Sequence, residues 1–152
     1  MGSPETTFSY FTDPEKHCRW QGVEAELDPR PGGVYRVALA PQVWIVGEYL
    51  EVEPPHRLVL SWGVESSIGL PGCFQPVPPG SSTVEIRFVP DGEGTIIRVR
   101  HMDLPTEDAR WGTAVGWNGF LPRLVTILEG GDPGEDPFME LSATLFARDA
   151  ES

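Results

Sequence analysis

From Ser82 to Met102 the chain reads STVEIRFVPDGEGTIIRVRHM, alternating apolar and polar side chains on both sides of Asp91–Gly92. Alternation of period two marks a strand with one packed face. An Asp-Gly step between two such runs marks a hairpin. Four upstream runs repeat the pattern: VEAELD, VYRVAL, VWIVGEYLEVEP and RLVLSW. Their punctuation is rich in proline and glycine, as in PRPGG before VYRVAL and Pro54–Pro55 after VWIVGEYLEVE. The reading is six successive strands joined by turns, an antiparallel sheet that needs something to cover its apolar face.

Helical patterns flank the strands. Ser3, Pro4 and Glu5 form a helix-start signature, with Phe8 and Phe11 on one face. Asp13 and Pro14 start a second short helix that ends near Trp20. The long helix begins after Thr106, carries Trp117, Phe120, Leu121, Leu124 and Leu128 at helical spacing, and stops at Gly130–Gly131. Pro122 interrupts that pattern, which predicts a kink or a break, because proline lacks the amide hydrogen and crowds the preceding turn. Residues 63–82 are long for a hairpin connection and rich in proline and glycine, as expected of a mobile lid or a disordered insertion. The acidic, proline-containing stretch after Gly131 leads to Phe138, Leu141, Leu145 and Phe146, a short amphipathic pattern that needs a surface to dock on.

Several function classes are disfavoured. The formal net charge of −12 repels phosphate backbones, and the eleven Lys and Arg residues are scattered, so nucleic acid is not an expected partner. No apolar run approaches membrane-span length and no secretory signal pattern opens the sequence, so no membrane association is expected. Cys18 and Cys73 are far apart, as expected of reduced thiols in a cytoplasmic protein. His17, His56 and His101 lack metal-ligand spacing, and DGEGT reads as a hairpin turn rather than a phosphate cradle. Neither a metal nor a cofactor is expected.

The segments FTDPEKHCRW, DPRPGGVYRV, GEYLEVEPPHRLVLSW, STVEIRFVPDGEGTIIRVRH and GWNGFLPRLVTILEG follow one another. Together they resemble the bacterial family of activator-of-heat-shock-protein-90-ATPase-like proteins, in the START-related SRPBCC (Bet v 1-like) superfamily. The resemblance implies an α+β helix-grip fold, with a curved antiparallel sheet wrapped on a long C-terminal helix and a cavity between them. It assigns residues 1–131 to that domain and 132–152 to an acidic linker with a short C-terminal segment. Members of the family commonly open with a strand. Here that strand is apparently missing, which predicts that the edges of VEAELD and TIIRVRHM are covered by the tail or paired in a homodimer.

Alternation then assigns the lining of the cavity. With Glu51 and Glu53 facing water, Trp44, Val46, Glu48, Leu50 and Val52 share the inner face. On the neighbouring strands Tyr35 and Val37, Leu58, Leu60 and Trp62, Val84, Ile86 and Phe88, and Ile97, Val99 and His101 face inward. The expected ligand-contacting set is Tyr35, Trp44, Glu48, Leu60, Trp62, Ile86, Val99, His101, Trp117, Phe120 and Leu124. Glu48 and His101 are the polar members, candidates for orienting a ligand or for acid–base work, against the plainer reading of a rim carboxylate and a hydrogen-bonded structural histidine. The leading reading is a protein that binds a hydrophobic small molecule, such as a lipid, polyketide or aromatic metabolite. The alternatives are a cyclase or dehydratase using Glu48 or His101, and a protein that regulates a chaperone ATPase in the stress response.

Overall fold

In the computed structural model, residues 2–66, 80–104 and 106–138 are described. Two short helices, α1 (Pro4–Ser9) and α2 (Pro14–Trp20), precede six strands. These are β1 (Glu24–Leu27), β2 (Val34–Ala40), β3 (Val43–Glu53), β4 (Arg57–Ser66), β5 (Ser82–Asp91) and β6 (Gly94–Met102), followed by α3 (Glu107–Leu128). The strands form one antiparallel sheet in the order β1-β2-β3-β4-β5-β6. Among the described residues no strand precedes α1, and β1 and β6 are the sheet edges. The insertion over 67–79 and the tail beyond Phe138 lie outside the described residues, so the expectations placed on them do too.

The helix starts are those read from the sequence. Ser3 accepts from the Thr6 amide, Asp13 from those of Glu15 and Lys16, and Thr106 from that of Ala109. In the β1–β2 turn the two glycines do different work. Gly32 has φ +84, a left-handed conformation, whereas a Cβ at Gly33 would overlap the Asp28 carbonyl oxygen. The pair lets this turn lie against β3, where the Gly32 amide donates to Tyr49 O at 2.7 Å and the Tyr49 amide to Gly33 O at 2.9 Å.

The inner face of the sheet packs on α1, α2 and α3. Phe11, Trp20, Tyr35, Tyr49, Leu58, Leu60, Ile86 and Leu124 have almost no solvent exposure. Phe11 meets Trp20 and Phe88 with ring centroids 5.0 and 5.4 Å apart. The Tyr49 hydroxyl crosses this core to donate to Phe11 O at 2.8 Å.

Two expectations are corrected. First, Trp44, Val46, Glu48 and Leu50 do not share the inner face. Val43, Ile45, Gly47 and Tyr49 are buried instead, and Glu48 and Leu50 are exposed. The cause is a β-bulge. Tyr49 pairs with Leu60 and Glu51 with Val59, so Leu50 is an extra residue that reverses the alternation. Counting back from the outward Glu51 and Glu53 gives the right side for Val52 and the wrong one for everything before the bulge. Trp44 lies half-buried on the outer face, with the Arg36 guanidinium 4.7 Å from its ring centroid. Second, of the kink or break expected at Pro122 the break is absent: α3 is helical from Glu107 to Leu128 without interruption. Pro122 and Asn118 are both exposed, so the carbonyl deprived of its donor is on the watered side of the helix.

Outside the sheet, Arg57 reaches Glu51, Glu53 and Glu85 at 3.0, 2.8 and 2.8 Å. Arg87 also approaches Glu85, so this outward carboxylate is 8% exposed beneath two guanidiniums.

Candidate functional site: an apolar cleft under the long helix

The packed face of α3 runs through Ala109, Thr113, Phe120, Leu124 and Ile127, while Trp117, Leu121 and Leu128 flank it, half-buried. Gly112 and Gly116 lie one turn apart on the same side. A side chain on Gly116 would project into space with no atom within 4 Å. That space is a cleft bounded below by Leu39, Ile45, Trp62 and Val64 of the sheet, and above by Gly112, Thr113, Gly116, Trp117 and Phe120 of α3. Gln21 and Phe138 close its sides. Its empty volume, mouth included, is about 500 Å³.

Trp117 is also a wall of a second, wider depression. Beyond it lies an open groove of about 780 Å³, reaching into free solvent and lined by Val99, His101, Leu104, Arg110, Asn118 and Leu121. His101 sits between the two spaces. Trp117 Nε1 donates to His101 Nδ1 at 3.1 Å, so the proton of the neutral ring is on Nε2. Nε2 lies 2.9 Å from Ser82 Oγ and donates to it, and Ser82 Oγ donates to Trp62 O at 2.7 Å. Burial lowers the His101 pKa to about 4. Both ring nitrogens are committed, and the serine proton is already given to a carbonyl. The arrangement ties helix to sheet and leaves His101 no lone pair with which to activate Ser82.

A second histidine, this one fully buried, supports the end of α2 beside the cleft. His17 Nδ1 donates to Gln21 O at 3.1 Å, and Nε2 accepts from the Tyr35 hydroxyl at 2.9 Å. The ring is fully buried beside Trp20, Phe11 and Tyr35, and desolvation lowers its pKa to about 4. Burial likewise pushes the Tyr35 hydroxyl pKa well up. Arg123 of α3 completes the support. Its Nε donates to Trp20 O at 3.0 Å, and its other arm donates to the carbonyls of Pro133, Gly134 and Glu135. One side chain thus holds the end of α2 and the segment that delivers Phe138 to the cleft.

The residues expected to line one cavity fall into four places. Trp62, Trp117 and Phe120 line the cleft, and Val99 and His101 line the outer groove beside Trp117. Tyr35, Leu60, Ile86 and Leu124 are core, packed too deeply to meet a ligand in this form. Trp44 and Glu48 are on the opposite face of the sheet. Ile45 was missed through the bulge. Gly112 and Gly116 carried a readable signal, since glycines four apart on the packed side of a helix leave room there. Nothing local marked Gln21. Among the described residues no cluster of His, Cys, Asp and Glu is arranged to hold a metal ion.

A curved antiparallel sheet gripping one long helix over an apolar cleft defines a helix-grip protein of the START-related, Bet v 1-like type. The chain belongs to the family of Activator of Hsp90 ATPase homolog 1-like proteins, whose family model matches residues 2–129. An AHSA1-like protein of Rhizobium etli is 40% identical with a TM-score of 0.67, covering 90% of this chain and 81% of that one. CalU16 of Micromonospora echinospora is 26% identical with a TM-score of 0.63, covering 99% of this chain and 80% of that one. The Aha1 dimer from Colwellia psychrerythraea shares the fold at 14% identity and a TM-score of 0.65, covering 84% of this chain and 89% of that one. No curated protein matches this chain. No helix among the described residues is long and apolar enough to cross a membrane.

Proposed function

We propose that this protein binds a hydrophobic small molecule in the cleft between the sheet and α3, as a cytoplasmic carrier or sensor rather than an enzyme. The observation that carries this reading is the void left at Gly116. Close packing is the rule in protein interiors, and glycine inside a helix costs about 1 kcal/mol relative to alanine. A helix that places glycine on its packed side, opposite Trp62 and between Thr113 and Phe120, forgoes both packing and propensity to keep a space open. Apolar walls with few polar groups suit such a ligand. The interior is narrow in this form, so occupancy requires Trp117 or Phe138 to give way.

The test is native mass spectrometry of gently purified protein, alongside titration with small aromatic probes, for the wild type and Gly116→Leu. Leucine at that position fills the cleft and favours the helix. Loss of a copurified ligand and of probe binding, with the fold intact, is the expected result. Undiminished binding by Gly116→Leu overturns the reading. The acid–base alternative draws no support from an exposed Glu48 and a saturated His101. Self-association through the open edges of β1 or β6 is a compatible feature, checked by sedimentation equilibrium of the full chain.

A further inference from the structure

Gln21 caps the C-terminal end of α2 and lines the cleft. It is 6% exposed, and among the described residues its Oε1 is a buried side-chain oxygen without a hydrogen-bond partner. Buried polar groups are paired in the great majority of cases, and each exception calls for a reason. Misplacement is not the reason here. The Gln21 amide donates to His17 O at 2.9 Å, its carbonyl accepts from His17 Nδ1, and Arg123 holds the preceding carbonyl of Trp20. The backbone is fixed on both sides of a side chain whose acceptor is left unused.

The rest of the lining says what would use it. Thr113 donates its hydroxyl proton to the carbonyls of Ala109 and Arg110, so it offers the cleft only lone pairs. Among the described residues no charged side chain lines the cleft, and the protein as a whole carries −12. An anion entering here meets no cationic side chain among the described residues and a negative overall field, and a cation meets no counter-charge there. What fits is a molecule that is neutral, apolar over most of its surface and able to give one proton to a hydrogen bond. The apolar space between the glycine side of α3 and the Trp62 indole suits an aromatic body, which can pack on that ring.

We propose that Gln21 is the polar anchor of the cleft, and that its ligand is a neutral aromatic molecule whose hydroxyl or N–H group donates to Oε1. The assignment rests on the cleft being the binding site. It makes Gln21 the residue that distinguishes a hydroxylated ring from its methylated or unsubstituted counterpart. A site with a buried acceptor penalises the analogue that leaves it unpaired.

The experiment uses the full chain with two probes of one shape, 2-naphthol and 2-methoxynaphthalene, titrated by calorimetry into the wild type, Gln21→Leu, Gln21→Met and Gly116→Leu. The wild type is expected to bind 2-naphthol roughly tenfold more tightly, the value of one net hydrogen bond. Both Gln21 variants are expected to lose that preference while still binding 2-methoxynaphthalene. Their empty forms should melt no lower than the wild type, because an unpaired acceptor has been removed. Equal affinities for the two probes in the wild type, unchanged in the Gln21 variants, overturn the anchor and leave the cleft standing. Loss of folding in both Gln21 variants also overturns it, by assigning Gln21 a structural role. Failure of both probes to bind, or binding indifferent to Gly116→Leu, overturns the cleft and the anchor together.

Discussion

The indole Nε1 of Trp117 lies 3.1 Å from Nδ1 of His101, and that bond connects the long helix to the last strand of the sheet. Through Ser82 it continues to the backbone of β4 at Trp62. Trp117 and Trp62 are both walls of the cleft, so the histidine sets the distance between them. A proton on Nδ1 would replace an acceptor by a donor facing the indole N–H and break the connection.

Acid should therefore destabilise this protein well above the carboxylate range. His17 and His101 both have their pKa lowered to about 4, against about 6.5 in an unfolded chain. Between those values the unfolded state binds protons that the folded state refuses, so stability rises with pH. The contribution is complete above about pH 6.5 and is lost as pH falls toward 4. Urea denaturation at pH 7 and pH 5 should differ by on the order of 2 kcal/mol from His17, with a smaller share from the half-buried His101. His101→Asn should reduce that difference, and the His101 ring protons should titrate below pH 5 by NMR. A flat stability profile across this range would contradict the neutral, desolvated state of the two rings.

Two glycines should resist substitution where a third does not. A Cβ at Gly33 would overlap Asp28 O, and one at Gly47 would overlap Ser61 O, whereas one at Gly116 meets nothing. Gly33→Ala and Gly47→Ala should each cost roughly 2 kcal/mol or more in denaturant melts. Gly116→Ala should be neutral or stabilising by up to about 1 kcal/mol. Equal effects at all three positions would mean that the backbone contacts are looser than described.

The bulge at Leu50 divides the tryptophans by role. Trp44→Ala should leave probe binding within about twofold of wild type, losing the stacking with Arg36, worth about 0.5–1 kcal/mol of stability, and the half-buried contacts of the ring on the outer face. Glu48→Gln should be silent in binding. Trp62→Ala should abolish saturable binding and cost about 3 kcal/mol or more in stability, because Trp62 is 7% exposed and forms the floor of the cleft. The reverse order of effects would return Trp44 to the inner face.

Pro122→Ala should stabilise the protein. The helix passes through Pro122 unbroken and the position is exposed, so the substitution restores an amide donor without touching the core. A gain of about 1–3 kcal/mol is expected, read as a higher melting temperature. A loss would indicate that α3 needs the proline for its path over the sheet.

The element order was legible in the residues because it rests on local chemistry. Ser3, Asp13 and Thr106 cap helices by bonding amides two or three residues away, Gly32 turns because of its own φ, and alternation marks six strands one run at a time. The cleft was only half legible. Trp62, Trp117 and Phe120 followed from periodicity, and the glycines of α3 were in plain sight but read as part of a helical pattern. The side of β3 that faces inward was not local information. Leu50 is extruded because β3 must pair with β4 while the sheet curves around the helix, and one extra residue reverses every side chain before it. Gln21 is held beside the cleft because His17 of α2 bonds its carbonyl, Arg123 of α3 bonds that of Trp20, and Tyr35 of β2 fixes the His17 ring. A sequence determines which faces and caps its segments can offer. Only the packing of those segments decides which polar atoms find partners, and Gln21 Oε1 finds none among the described residues.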